Sequence, residues 1–314
     1  MPALSLGLKD ICHTYNRIII ISKQYNSRRM SPFALSLLLL AAMLHAAWNL
    51  LLKQVEERFI VTWWSTLFSS VCLLPLAAFS QMPERSIWPF LLASACTEVV
   101  YMATLASAYN LSDFSLVYPV ARGAAPAFLA LWAVLFLDER PGGLGLVGLA
   151  LIVAGLGIVG SREWLRRRSQ TRIQQRGLYL ALGVALLISI YSTIDGAAVQ
   201  RTDPTIYTAL MLGLTGILFT PFALWRSDWQ TSLQVGKRHW RRILVIGAFG
   251  LLAYALVLNA YAIAAVSYAG AIREVSIVFG ALAGWKLLGE ELGRQRVVGA
   301  MVIFSGILLI ALAP

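Results

Sequence analysis

Charged residues are scarce in this chain: they make up 13% of its 314 residues, whereas hydrophobic residues make up 59%. A soluble domain carries about 25% charged residues. The shortage excludes an ordinary soluble globular protein. It predicts an all-α integral membrane protein that crosses the lipid bilayer several times.

Recognisable catalytic and metal-binding patterns are also missing. The three cysteines, Cys12, Cys72 and Cys96, form no CxxC pair and no Cys/His cluster. There is no metal-ligand spacing, no phosphate-binding loop and no Ser/His/Asp set on a long loop. We therefore expect no metal, no cofactor and no enzymatic activity. The weaker alternative is a membrane enzyme or lipid-handling protein, which would need catalytic groups near an interface.

Basic residues outnumber acidic ones, which gives a formal net charge of +11. Such a charge can indicate a nucleic-acid partner. Here the basic residues lie mostly in short loops between apolar segments, so membrane topology explains them and we predict no nucleic-acid partner. The positive-inside rule places both termini outside when residues 1–29 are left out. We interpret residues 1–29 as a non-membrane extension, either upstream of a native start at Met30 or a cytoplasmic tail.

Ten apolar segments have the length of about 20 residues that a bilayer-spanning helix needs. They lie at 32–54, 59–80, 87–109, 114–137, 142–161, 177–199, 204–225, 242–264, 267–288 and 294–313. Two connections, 162–176 and 226–242, are longer and basic. We expect solvated loops there rather than amphipathic surface helices.

The second half of the chain repeats the first. A shift of 151 residues places Arg122 on Arg273, Glu139 on Glu290, Gly148 on Gly299 and Gly155 on Gly306. A shift of 146 places His45 on Tyr191 and Asn49 on Asp195. Two rare intramembrane arginines are unlikely to coincide by chance. The pattern predicts two five-helix repeats, 30–161 and 177–314, joined by the basic linker 162–176, and the odd helix count inverts the second repeat.

Each half closes with an apolar helix, a glutamate and a glycine-bearing final helix: "LDERPGGLGLVGLALIVAGLGIVG" (137–160) and "LGEELGRQRVVGAMVIFSGILLIA" (288–311). This doubled pattern resembles the EamA-type, ten-helix branch of the drug/metabolite transporter superfamily. The resemblance implies a permease for amino acids, other metabolites, drugs, or sugar nucleotides and phosphates. It implies cytoplasmic termini, contrary to the charge count. The half-ending glutamates are expected to be caps or loop residues more than substrate contacts.

Arg122 and Arg273 are the most informative polar residues, because a mid-span arginine costs roughly 2.5–3.5 kcal/mol. An inverted repeat brings equivalent residues to a shared central site. Two guanidiniums there would suit a carboxylate, phosphonate or phosphate. The alternative is permanent pairing with Glu98, Asp195 or Glu274. Glu274 is expected to need a partner other than Arg273, since adjacent helical residues do not face each other.

The other polar candidates also have a functional and a structural interpretation. Glu98, Asp195 and Glu274 are predicted to carry protons or balance charge, with internal pairing as the alternative. One face of the first helix carries His45 and Asn49, with Trp48 beside it. These three, together with Tyr109, Tyr118 and Tyr261, are predicted to line the substrate pocket, with hydrogen-bonded or aromatic packing as the alternative.

The sequence therefore predicts a secondary transporter in the bacterial inner membrane, either a monomer or a homodimer. Its substrate would be a small anionic or zwitterionic metabolite, exported or exchanged by alternating access with proton coupling or exchange. The alternative is a broad-specificity exporter of drugs or cations, in which the intramembrane arginines are purely structural.

Overall fold

The computed structural model describes residues 32–79, 81–128, 131, 142–165, 172–263, 272–290 and 293–312. Ten α-helices follow one another in these ranges: α1 (Pro32–Lys53), α2 (Arg58–Phe79), α3 (Trp88–Leu111), α4 (Phe114–Gly123), α5 (Gly143–Leu165), α6 (Arg172–Ala198), α7 (Pro204–Arg226), α8 (Trp229–Ile263), α9 (Ser276–Lys286) and α10 (Gly293–Leu312). A short 3-10 helix, Arg85–Ile87, precedes α3. The predicted extension 1–29 and Met30 lie outside the described residues.

The helices agree with the predicted membrane spans. Among the described residues, α1, α3, α6, α7 and α8 are long and apolar enough to cross a bilayer. Helix α4 ends at Gly123, where the chain bends at Ala124 before a further helical turn. The rest of the fourth predicted span lies largely outside the described residues, and so does Glu139, which follows it.

Helices at equivalent positions of the two halves pack against each other. Helix α2 contacts α7, α4 contacts α9, and α5 contacts α10; in addition α1 packs on α8 and α3 on α6. Exchanging the halves leaves this set of pairs unchanged, as a twofold axis between them requires. In α2 and α7, Trp63 donates to Thr220 and Ser70 donates to the Leu212 carbonyl, so these helices run antiparallel. The prediction of two inverted five-helix repeats is confirmed.

Four glycines allow the closing helices of the two halves, α5 and α10, to touch through their backbones. A Cβ on Gly148 would lie 2.7 Å from the Gly306 carbonyl oxygen, and one on Gly155 would lie 2.8 Å from that of Gly299. The two contacts are related by the predicted repeat, because Gly148 corresponds to Gly299 and Gly155 to Gly306. The junction of the two halves therefore requires glycine, because any side chain would meet the backbone of the facing helix.

Glu290 caps the first turn of α4 across the boundary between the halves. Its two carboxylate oxygens accept hydrogen bonds of 2.8 Å from the backbone N–H groups of Phe114 and Ser115. The buried Arg296 is 3.0 Å from Asp113, just before that turn. A carboxylate at a helix N-terminus satisfies free N–H groups and favours the helix dipole. These contacts support the structural interpretation of Glu290.

Part of the basic segment 226–242 is helical, which corrects the expectation of a solvated loop. Asp228 begins the helix: the side chain and backbone N–H of Thr231 donate to its carboxylate, which lowers the pKa of Asp228 below its usual value. The helix leaves regular geometry at His239, whose φ is −109° and ψ is 15°. Both Arg238 and His239 contact Glu57, so the basic stretch is tied to the start of α2.

Substituting Gly155 with valine is expected to destabilise the protein by roughly 1–3 kcal/mol, because the new side chain would press on the α10 backbone. The measurement is thermal unfolding of the purified protein in detergent. Gly157→Val is the matched control, since a Cβ there meets nothing within 4 Å. Equal unfolding temperatures for the two variants would contradict the backbone contact.

Candidate functional site

A cavity of about 60 Å³ lies between helices from both halves of the fold. His45 on α1 and Tyr191 on α6 both line it, and the predicted repeat makes these two positions equivalent. The cavity therefore lies at the pseudo-twofold axis, where an inverted-repeat transporter holds its substrate. Within the described part of the chain its lining includes one charged side chain, Glu98, and no arginine or lysine.

Glu98 is a carboxylate that faces the cavity. Its side chain is buried, with 4% of the residue exposed, and none of the described residues forms a hydrogen bond or an ion pair with it. The charges of Asp195, Arg273 and Arg122 all act on it. An unpaired carboxylate at such a place can accept a proton or a cationic group.

Trp48 fixes the ring of His45. The indole N–H of Trp48 donates to His45 Nδ1 at 3.1 Å. Since an indole nitrogen only donates, Nδ1 must be the acceptor, and the neutral imidazole carries its proton on Nε2. His45 lines the cavity, so this nitrogen is the one left to donate to a bound molecule.

A stripe of hydroxyls on α2, which was not predicted from the sequence, forms another wall of the cavity. The stripe consists of Thr62, Ser65, Thr66 and Ser69, all buried. Their spacing places them on one helix face. Each hydroxyl donates to a backbone carbonyl, and those of Ser65 and Ser69 reach Ile243 and Gly247 on α8. The signal was the spacing of i, i+3, i+4 and i+7 on an otherwise apolar helix.

The two predicted arginines meet at one carboxylate beside the cavity. Glu274 Oε1 lies 3.0 Å from Arg122 Nη2 and 3.0 Å from Arg273 Nη2, and Arg273 Nε also donates to it at 3.0 Å. All three residues are at most 5% exposed. We call them the arginine cluster; its formal charge is +1, because two guanidiniums face one carboxylate.

The pairing of Arg273 with Glu274 corrects the expectation that these neighbours could not face each other. That expectation assumed a continuous helix. The chain instead turns at Glu274 and Val275, between the helical residues 272–273 and α9. Neighbouring side chains can converge on such a turn, so Glu274 serves both arginines.

Asp195 on α6 is held by three hydroxyls from three other helices. Ser94 Oγ and Tyr207 OH donate to Oδ1 at 2.5 and 2.8 Å, and Tyr254 OH donates to Oδ2 at 2.6 Å. Tyr254 also lines the cavity. Asp195 is therefore joined to the cavity through Tyr254, while its own carboxylate accepts three hydrogen bonds.

The other predicted pocket residues lie outside the cavity lining. Asn49 accepts a hydrogen bond of 2.7 Å from Tyr109 and donates to the His45 carbonyl. Tyr118 packs against α9, where a Cβ on Gly280 would clash with its ring. Arg273 lies over the ring of Tyr261, 6.0 Å from its centroid. These residues support His45, α9 and the arginine cluster.

Removing a hydroxyl that binds Asp195 is expected to destabilise the protein. Tyr207→Phe and Tyr254→Phe should each cost about 1.5–3 kcal/mol, the range for hydrogen bonds to a charged group. Tyr191→Phe is the matched control, since no described residue forms a hydrogen bond with the Tyr191 hydroxyl. Thermal unfolding of the three variants in detergent tests this. Three equal unfolding temperatures would show that the Asp195 network contributes nothing.

Comparison with known proteins agrees with the two-repeat membrane fold described above. The model of the EamA-like transporter family matches residues 32–161 and 175–312. The uncharacterized transporter YwfM of Bacillus subtilis strain 168 is 26% identical over 238 residues, which cover 72% of this chain and 74% of that protein. A crystal structure of a protein 16% identical to this chain superposes with a TM-score of 0.62, covering 90% of this chain and 99% of the other. With both halves matched by the family model, the chain is a multi-pass membrane protein that belongs to the EamA-like transporter family.

Proposed function

We propose that this protein is a secondary transporter of a small zwitterionic or anionic metabolite, with an amino acid as the model substrate. It works by alternating access in the bacterial inner membrane, as a monomer or a homodimer, with proton coupling or exchange. The observation that supports the proposal is the opposition of charges at the centre of the fold. Glu98 lines the cavity with no hydrogen-bond or ion-pair partner among the described residues, and the neighbouring arginine cluster carries a net charge of +1.

Both ends of a zwitterion find complementary groups in this arrangement. An ammonium group would bind Glu98, with the rings of Tyr101 and Tyr191 beside it. A carboxylate would bind towards Arg122 and Arg273, because a guanidinium fork matches a carboxylate. The Nε2–H of His45 would donate to the bound molecule between them. Asp195 is held too firmly by its three hydroxyls to be the first choice as a ligand.

A cation exporter remains the second candidate, and a specific observation favours it. The arginines are paired with Glu274 and lie outside the cavity lining, whereas the one charged lining residue within the described ranges is acidic. In that case Glu98 binds the cation and the arginine cluster has a structural role.

A thermal-shift screen of the purified protein distinguishes the two candidates. We expect stabilisation by glycine or another small amino acid, less by the matched amine or carboxylate alone. Glu98→Gln and Arg122→Gln should each weaken the apparent affinity for the amino acid about tenfold or more, because each removes a charge partner of the ligand. The variants would then need a correspondingly higher amino-acid concentration for the same stabilisation. Stabilisation by amines alone that Arg122→Gln leaves intact would favour the cation exporter. Arg238→Gln, at an exposed arginine, is the control for net charge.

Filling the cavity should abolish binding while the protein stays folded. A Cβ on Gly250 meets nothing within 4 Å, and Gly250 lines the cavity. Gly250→Leu is expected to leave the unfolding temperature unchanged or slightly raised, since leucine has a higher helix propensity than glycine. It should reduce amino-acid uptake into proteoliposomes about tenfold or more. Gly213→Leu, at an equally open position outside the cavity, should transport normally. Normal uptake by Gly250→Leu would place the substrate path elsewhere.

A further inference from the structure

The contact between Arg122 and Glu274 is incomplete for a permanent buried ion pair. Glu274 Oε1 accepts from both arginines, but within the described residues neither Glu274 Oε2 nor Arg122 Nε has a hydrogen-bond partner. Burying a charged pair is favourable when the geometry is good and the remaining polar atoms are satisfied. Arginine has five N–H donors and can grip a carboxylate with two parallel bonds. Arg122 holds Glu274 through a single nitrogen.

Two further hydroxyls belong to residues close in sequence to Arg122 and Glu274. Tyr118 OH neighbours Ser276 Oγ at the start of α9, and the charges of Arg122, Glu274 and Arg273 all act on Tyr118. Neither hydroxyl makes a well-aligned hydrogen bond within the described part of the chain. Four polar atoms with unused hydrogen-bonding capacity therefore belong to the Arg122–Glu274 contact or to residues within about one helical turn of it in sequence. The polar site therefore includes two hydroxyl groups in addition to its two charged side chains.

The contact also joins the two halves of the protein. Arg122 is on α4 of the first half, whereas Glu274 precedes α9 of the second half and neighbours Arg273 in sequence. If the ion pair between Glu274 and Arg122 breaks, Glu274 still pairs with Arg273 on its own segment. The cluster thus has two arrangements in which each guanidinium faces a carboxylate: Glu274 is shared by both arginines, or it stays on Arg273 while another anion binds Arg122.

We propose that Glu274 is an internal stand-in for the substrate's carboxylate, and that the substrate displaces it from Arg122. This inference rests on the proposed function and identifies the anion-binding half of the site. The hydrogen bond from Arg122 to Glu274 Oε1 breaks, and Arg122 donates instead to both oxygens of the incoming carboxylate. Tyr118 and Ser276 supply further donors. Glu274 stays ionised on Arg273, so two guanidiniums then face two carboxylates and no proton is needed.

The exchange would connect binding with movement. In the empty protein, the Arg122–Glu274 contact ties α4 to the segment that leads into α9. Once a substrate occupies Arg122, that tie is released and one half can rock against the other. Glu274 is therefore a positioning residue, which decides when the halves separate and which ligands can separate them.

The test uses methanesulfonate, an oxyanion whose charge stays constant across the neutral pH range, and measures its Kd for the full-length purified protein. Wild type should bind it weakly. Glu274→Gln should bind it about tenfold more tightly, because the internal competitor is gone. Glu274→Asp should do the same while keeping the negative charge, since its side chain is shorter by one bond of about 1.5 Å. Arg122→Gln/Glu274→Gln should lose binding, and Arg238→Gln should bind as wild type does.

Each outcome decides something. Wild-type affinity in both Glu274 variants, or in the double variant, would show that the anion binds elsewhere and would overturn the inference while leaving the transporter proposal intact. If neither single variant folds, the double variant carries the test alone, because it removes both charges together. Absence of methanesulfonate binding in wild type and in every Glu274 variant would overturn the anion half of the proposed function, and this inference with it.

Discussion

Charge buried between the helices is the constraint on which the rest of this structure depends. Far from water, an ionised side chain is stable only beside a counter-charge or several hydrogen-bond donors. The protein meets this requirement at two sites and leaves it unmet at a third. Arg122 and Arg273 share Glu274, Asp195 gathers three hydroxyls, and Glu98 has no partner within the described residues. The first two arrangements join helices, whereas the third leaves a carboxylate available to a ligand.

The scaffold around these charges is symmetric, but the chemistry it carries is not. Helix pairs and glycine contacts obey the twofold axis between the halves. At equivalent positions, however, Asn49 is neutral where Asp195 is charged, and His45 is matched by Tyr191. A symmetric frame lets the two halves exchange roles during transport. Under the proposed function, unequal residues would give a bound zwitterion one orientation, with its positive end towards Glu98 and its negative end towards Arg122.

The fold was largely predictable from the sequence, because bilayer-spanning helices need long apolar segments and a repeat places rare residues in register. The two arginines were found for the same reason. Their partner was harder to predict: Glu274 reaches Arg273 across a turn within "AIREVSIV", where neither proline nor glycine marks a break. The α2 hydroxyls were missed because serine and threonine are common in membrane helices, where they bond the preceding turn. The helix before His239 was missed because its basic composition resembled a loop, although Asp228 was a usable capping signal.

The hydroxyl stripe of α2 determines which hydrogen-bonding groups of a ligand this wall of the cavity favours. Thr62, Ser65, Thr66 and Ser69 have each given their hydrogen to a backbone carbonyl. What they still offer is oxygen lone pairs, and Glu98 across the cavity offers the same. These surfaces attract N–H and O–H groups and repel bare carboxylate oxygens. Under the proposed function, the N–H-bearing end of the ligand would thus face α2 and Glu98, and its acceptor end would face away from them.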